Sequence, residues 1–264
     1  MAILHSKILF TGTIGDIVVV KRRDTGKYYA RSKPTRSKKK NKSKSGSSKE
    51  RNQSEFGGRA TATKWIRKAL YPQKDLSDFG FTSALNRLVN PILQMDTTGE
   101  YGKRAIFFTK GHALLRGFNL NNKTIFDSII RHPIDFFLSK ESLYASVKIP
   151  DLMPGINFVV PGNQAMYRVV AALGIVPDLH CKNKKYTPGS DYDKLVSPVR
   201  AETRWYPVLK GSAVETLELK IPTAPPDESF CLLLSIGIRF GNIIDEGKVK
   251  QEKYAGAAKI LWVE

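Results

Sequence analysis

Between residues 21 and 51 the chain carries 14 lysines and arginines against two acids, Asp24 and Glu50. Cations at this density attract a phosphate backbone by displacing its condensed counterions, without reading base sequence. The candidate contacts are Lys21, Arg22, Arg23, Lys27, Arg31, Lys33, Arg36, Lys38, Lys39, Lys40, Lys42 and Lys44. Tyr28 and Tyr29 stand among them and offer stacking surfaces to unpaired bases. Lys64, Arg67 and Lys68 follow on the polar side of a helical pattern and would extend the same surface. The segment also suits a solvated, charged loop, or a targeting or membrane-surface element. In a nucleated host Lys38-Lys39-Lys40 would pass for a nuclear import signal.

Other chemistry is poorly provided for. His5, His112, His132 and His180 are scattered, with no i, i+4 pair. His180-Cys181 could begin a metal site, but no further ligands follow at a recognisable spacing. Asp191 and Asp193 flank Tyr192 in a loop-like stretch, where paired acids serve turn chemistry more readily than cation binding or proton transfer. The glycine-containing fragments at 11–15 and 109–112 fit neither a Walker loop nor G-x-G-x-x-G, and no G-x-S-x-G elbow occurs. The expectation is a protein that is not an enzyme, with no cofactor and no metal, although a site assembled from distant residues would escape this reading.

The elements that must position the cations can be read from periodicity. The β-branched run at 14–23 and the segment 27–33 flank Asp24-Thr25-Gly26, a three-residue hairpin connection with Gly26 in the left-handed position. Alternation places Lys27, Tyr29, Arg31 and Lys33 on one face of the second strand, with Tyr28 and Ala30 on the other. Residues 34–52 contain no large apolar side chain and read as a disordered linker. From residue 53 a helix is expected, its buried stripe formed by Ala62, Trp65, Ile66, Ala69 and Leu70, its first turns weakened by Gly57 and Gly58, and its end marked by Tyr71-Pro72. A second helix spans 81–95, with Pro91 as a kink or break. Residues 96–103 read as a loop, and 105–118 fit either a strand or a helix.

Beyond residue 120, prolines and glycines punctuate short apolar segments, as in an antiparallel β-domain. Leu217, Leu219 and Ile221 alternate with polar residues as in a half-buried strand, whereas the segment from Leu232 to Phe240 reads as a central strand buried on both faces. Ala258, Ile260 and Trp262 form another strand. The expected segments are therefore 1–33, strand and hairpin; 34–52, linker; 53–120, helical; and 121–264, β-sandwich-like.

The formal charge of +19 favours nucleic acid or another polyanion as partner, with a protein partner as the alternative. Hydrophobic residues at 41% supply a core, which argues against global disorder. Two cysteines, Cys181 and Cys231, are too few for a disulfide scaffold. No apolar run is long enough for a membrane span and the start does not fit a signal peptide, so a cytoplasmic or virus-particle location is expected.

The order of parts resembles an uncharacterised bacterial family known only as a domain of unknown function. The likeness rests on the hairpin GTIGDIVVVKRR, on Arg31-Ser32-Lys33-Pro34, on the helix opening NQSEFGGRATATKWI and on Gly117-Phe118-Asn119-Leu120-Asn121-Asn122. The middle, about 161–205, and the long basic linker depart from that pattern. The resemblance implies an α+β fold, with an N-terminal hairpin and amphipathic helices before an antiparallel immunoglobulin-like sandwich, and it implies no activity. Two functions are compatible with these features: a polyanion binder acting through its basic arm, or a structural or assembly protein of a virus particle or surface complex.

Overall fold

A computed structural model describes residues 2–3, 10–22, 25–33, 47–192, 197–245 and 248–264. Contacts divide the chain into two units, Met1–Ser48 and Lys49–Glu264.

The first unit is a small antiparallel sheet of β1 (Ala2–Ile3), β2 (Gly12–Ile14), β3 (Ile17–Lys21) and β4 (Tyr28–Ser32), in the order β1-β4-β3-β2. Gly15, at φ +56, makes the tight turn between β2 and β3. Gly26, at φ +68, closes the next hairpin, and its amide donates to the Arg22 carbonyl at 2.8 Å. Among the described residues of this sheet Val19 alone is buried, while Ile14, Ile17 and Val20 are exposed.

The second unit begins with α1 (Ser48–Ala69), so residues 48–52, expected in the linker, are helical. Glu50 in the first turn favours the positive end of the helix dipole and lies 3.7 Å from Lys184. No apolar residue marks this start, which hides it from periodicity. Gly58, expected to weaken the helix, is instead a packing position: a Cβ there would lie 2.5 Å from the Tyr186 ring. The stripe of Ala62, Trp65, Ile66, Ala69 and Leu70 is buried as its spacing requires. A 3-10 turn, Tyr71–Leu76, follows Leu70. Next comes α2 (Phe81–Gln94), which carries Pro91 inside its last turn. The ambiguous segment 105–118 resolves into α3 (Phe108–Gly111) and a 3-10 turn, His112–Leu115. Then come α4 (Phe126–Ile129), β5 (Asp135–Ser139) and β6 (Tyr144–Ile149).

The remaining strands are β7 (Met166–Pro177), β8 (Leu179–Lys182), β9 (Lys185–Pro188), β10 (Val199–Glu202), β11 (Tyr206–Pro207), β12 (Glu215–Lys220), β13 (Phe230–Ile243) and β14 (Val249–Val263). The main sheet runs β10-β7-β13-β14, with β11 on the far end of β7; a second sheet runs β12-β6-β5, and β8 pairs with β9. All these pairings are antiparallel. The molecule is therefore mixed α+β with antiparallel sheets.

Layering explains why β7 and β13 are buried on both faces. One face of the main sheet meets the helices. A Cβ on Gly174 of β7 would stand 2.6 Å from that of Ala69, and one on Gly237 of β13 would stand 2.8 Å from Leu76. Ala172 and Ser235, in register beside them, keep this face shallow enough for α1 and the turn to sit close. Buried Gln73 spans the same contact, its Nε2 donating to the Val170 carbonyl at 3.1 Å. The opposite face meets the second sheet and its connections. There Tyr167 packs on Phe158 at 4.5 Å, and Phe136 of β5 reaches Trp262 of β14 at 5.7 Å. Helices and strands share one core, so the segments 53–120 and 121–264 are layers of one unit. Among the described residues no helix is long and apolar enough to cross a membrane.

Candidate polyanion interface

The hairpin holds its cations by strand register. Val18 faces Arg31 and Val20 faces Tyr29, so the face predicted to carry Lys27, Tyr29, Arg31 and Lys33 also presents two valines. Arg22 joins this face, its guanidinium 5.5 Å from the Tyr29 ring centroid. Lys21 falls on the opposite side, paired with Tyr28 and 5.4 Å from that ring. Each tyrosine thus has a cation over its ring, an arrangement worth about 0.5–1 kcal/mol at an exposed site. Lys21, Arg22, Lys27, Arg31 and Lys33 are exposed and both tyrosines are half-buried. Lys33 is tied to the turn, its amide donating to the Asp16 carbonyl at 2.6 Å. Arg23, Arg36, Lys38, Lys39, Lys40, Lys42 and Lys44 lie outside the described residues.

On α1, Lys64 and Arg67 are exposed opposite the buried stripe. Lys68 is half-buried and lies 4.2 Å from the Trp65 ring. These three belong to the second unit and the hairpin to the first.

The remaining sequence candidates stay apart. Cys181 and Cys231 are both free, and burial pushes the Cys231 thiol up to about 12. His180 packs edge-on against Phe107. Asp191 is exposed, and Asp193 lies outside the described residues. Among the described residues no cluster of His, Cys, Asp or Glu could hold a metal.

A second cationic surface, absent from the sequence reading, lies on the second unit. Tyr71, Lys74, Arg200, Arg239, Lys253 and Tyr254 line an open cleft of about 670 Å³. Its floor is an ionic network. Arg239 donates to Asp75 at 2.9 Å and to the Pro72 carbonyl, and lies 3.8 Å from Glu202. Gln251 donates to the second Asp75 oxygen, and Arg168 pairs with Glu202. Asp75 and Glu202 thereby balance Arg239 and Arg168. The exposed rim cations Lys74, Arg200 and Lys253 have no ion pair among the described residues.

One wall is made by a bulge in β14. Arg239 pairs with Gly256 while Gly241 pairs with Gln251, which pushes residues 252–255 out of the ladder. The chain returns through Gly256, where a Cβ would lie 2.0 Å from the Ile238 carbonyl oxygen. Tyr254 sits in the bulge at φ +64, a conformation that costs a non-glycine residue about 1–3 kcal/mol. Tyr254 is 71% exposed and Tyr71 67% exposed. Neither composition nor local spacing signals this cleft, because its residues come from four distant stretches of chain.

No family model, curated protein or solved structure matches this chain.

Proposed function

We propose that the protein is a non-enzymatic binding protein whose basic N-terminal segment associates with polyanions, nucleic acid foremost. The observation that carries this reading is the exposed hairpin, with Lys21 over Tyr28 and Arg22 over Tyr29. A cation beside a flat ring offers a phosphate and a base two matched contacts at once. The lysine-rich stretch that follows in sequence would add charge without adding sequence preference. The test is anisotropy of labelled single-stranded DNA or RNA over a series of salt concentrations. The logarithm of the affinity should fall linearly with log salt, and the slope should shrink by roughly one for each phosphate-contacting cation neutralised. No salt-sensitive association with DNA, RNA or heparin at low ionic strength would sink the proposal.

A structural or assembly role is the second reading, favoured by an apolar rim on the second unit. Leu209 is 91% exposed, and it lines a hollow of about 800 Å³ with Val160, Met166, Val208 and Ile243. An exposed leucine beside an apolar hollow is a surface that a protein partner could cover. In this reading the two facing sheets act as an immunoglobulin-like scaffold with a helical layer added. A Leu209→Asp variant that leaves self-association and co-purifying partners unchanged would count against it.

A further inference from the structure

We propose that the cleft beside the β14 bulge is a nucleotide site, holding a phosphate on its rim cations and a base on its exposed tyrosines. This site does not rest on the hairpin reading, since all its residues belong to the second unit.

Charge placement supplies the phosphate half. The floor acids are already paired, Asp75 with Arg239, Glu202 with Arg168 and Arg239, and Asp75 also accepts a hydrogen bond from Gln251. They therefore do not cancel the rim. Lys74, Arg200 and Lys253 converge from the 3-10 turn, β10 and the bulge, and their charge is open to a ligand.

Backbone geometry supplies the base half. Tyr254 occupies a left-handed position in a bulge that projects its side chain to solvent rather than into the core. A glycine would fill that position without strain, so a tyrosine there points to use of the ring. Tyr71 stands on another wall, exposed, with Lys74 5.8 Å from its ring. Aromatic faces beside cations are the recurring means of holding a base with its phosphate. The cleft volume, about 670 Å³, falls in the range of roughly 300–1,000 Å³ typical of small-molecule sites. A free nucleotide and one nucleotide of a single strand share this chemistry.

The test is calorimetry on the full chain at moderate salt, with AMP, adenosine, inorganic phosphate and a short oligoadenylate as probes. AMP should bind one to one, at least tenfold more tightly than adenosine or phosphate alone. Arg200→Gln and Lys253→Gln should each weaken AMP severalfold, and together by tenfold or more. Tyr254→Gly should weaken AMP while leaving phosphate affinity unchanged and thermal stability equal or higher, which separates lost binding from lost fold. Lys21→Gln with Arg22→Gln should leave AMP affinity untouched, so failure of the hairpin reading and of this one are distinguishable. Oligoadenylate that competes with AMP identifies a strand as the source, and oligoadenylate that does not compete identifies the free nucleotide. AMP binding no tighter than phosphate, unmoved by the Arg200 and Lys253 variants, or abolished by the hairpin variant, overturns the proposal.

Discussion

Ala69 of α1 and Gly174 of β7 meet so closely that a Cβ on Gly174 would lie 2.6 Å from the Ala69 Cβ. The helix is seated on the sheet through this contact, and neither backbone can retreat without opening the core around it. Gly174→Ala should therefore destabilise the protein by about 1–3 kcal/mol, the usual penalty of overpacking. Denaturant midpoints of the variant and the parent provide the measurement. An unchanged midpoint would show that the helix is free to shift.

Adjacent glycines in α1 should respond in opposite directions. Gly57 has nothing within 4 Å of its hypothetical Cβ, whereas that of Gly58 would lie 2.5 Å from the Tyr186 ring. Gly57→Ala should stabilise by about 0.5–1 kcal/mol through helix propensity alone. Gly58→Ala gains the same propensity but must push back a packed aromatic ring, so its net effect should be destabilising by about 1–2 kcal/mol. Thermal melts of the pair would check the sign of each.

Asp96 organises the loop after α2. Burial raises its pKa, but the Thr98 hydroxyl at 2.7 Å and the amides of Ala105, Gly99 and Thr98 outweigh this and hold it at about 2, against an ordinary value of 3.8. A depressed carboxyl stabilises the fold above its unfolded pKa, and this contribution fades as pH falls from about 4 through 2. Asp96→Asn should cost about 1–2 kcal/mol at neutral pH, since the amide keeps one acceptor oxygen but loses the charge that strengthens these bonds. The gap between parent and variant should narrow towards pH 2. A gap that stays constant between pH 7 and pH 2 would contradict the assignment.

The hairpin tyrosines should separate single-stranded from double-stranded binding. Tyr28→Ala and Tyr29→Ala each remove a ring that a cation covers. Loss of one stacking platform should weaken single-strand affinity by about 1–3 kcal/mol and leave duplex affinity nearly unchanged. Equal losses on both substrates would mean that the rings serve only to hold the sheet.

Within the ionic floor of the cleft, Asp75→Ala leaves Arg239 buried with its main partner gone. Breaking a fully buried pair costs about 3–5 kcal/mol, but Asp75 is partly exposed in the cleft and Arg239 keeps the Pro72 carbonyl and Glu202 at 3.8 Å, so a loss of about 1–2 kcal/mol is expected. Combining Asp75→Ala with Arg239→Met should recover most of that loss. A double variant as unstable as the single one would argue that the pair is not coupled.

Much of the core was legible from sequence, for identifiable reasons. The stripe from Ala62 to Leu70 and the segment from Leu232 to Phe240 announce themselves by period and by length. β7 did not, although it neighbours β13 along nearly its whole length. Its sequence MYRVVAALGIVP is buried on both faces, so it lacks alternation, and its alanines and glycine weaken strand propensity. Those small residues are there because helices lie against them, a fact local sequence cannot carry. The hairpin turn at Gly26 was readable because its chemistry is local. The cleft was not, because residues 71–75, 200, 239 and 253–254 meet only after the main sheet has formed.

The pairing of β7 with β13 also sets a schedule for biosynthesis. β7 leaves the ribosome as an almost wholly apolar segment, and the strand that covers its flank, β13, begins more than fifty residues later. At ordinary translation rates that wait lasts roughly 3–10 s. During it α1 can already shield the face that carries Gly174, and β5, β6 and Phe158, also made before β7, can shield the other. What stays open is the edge that β13 will take, available meanwhile to chaperones or to a neighbouring nascent chain, so translation speed between β7 and β13 should influence soluble yield.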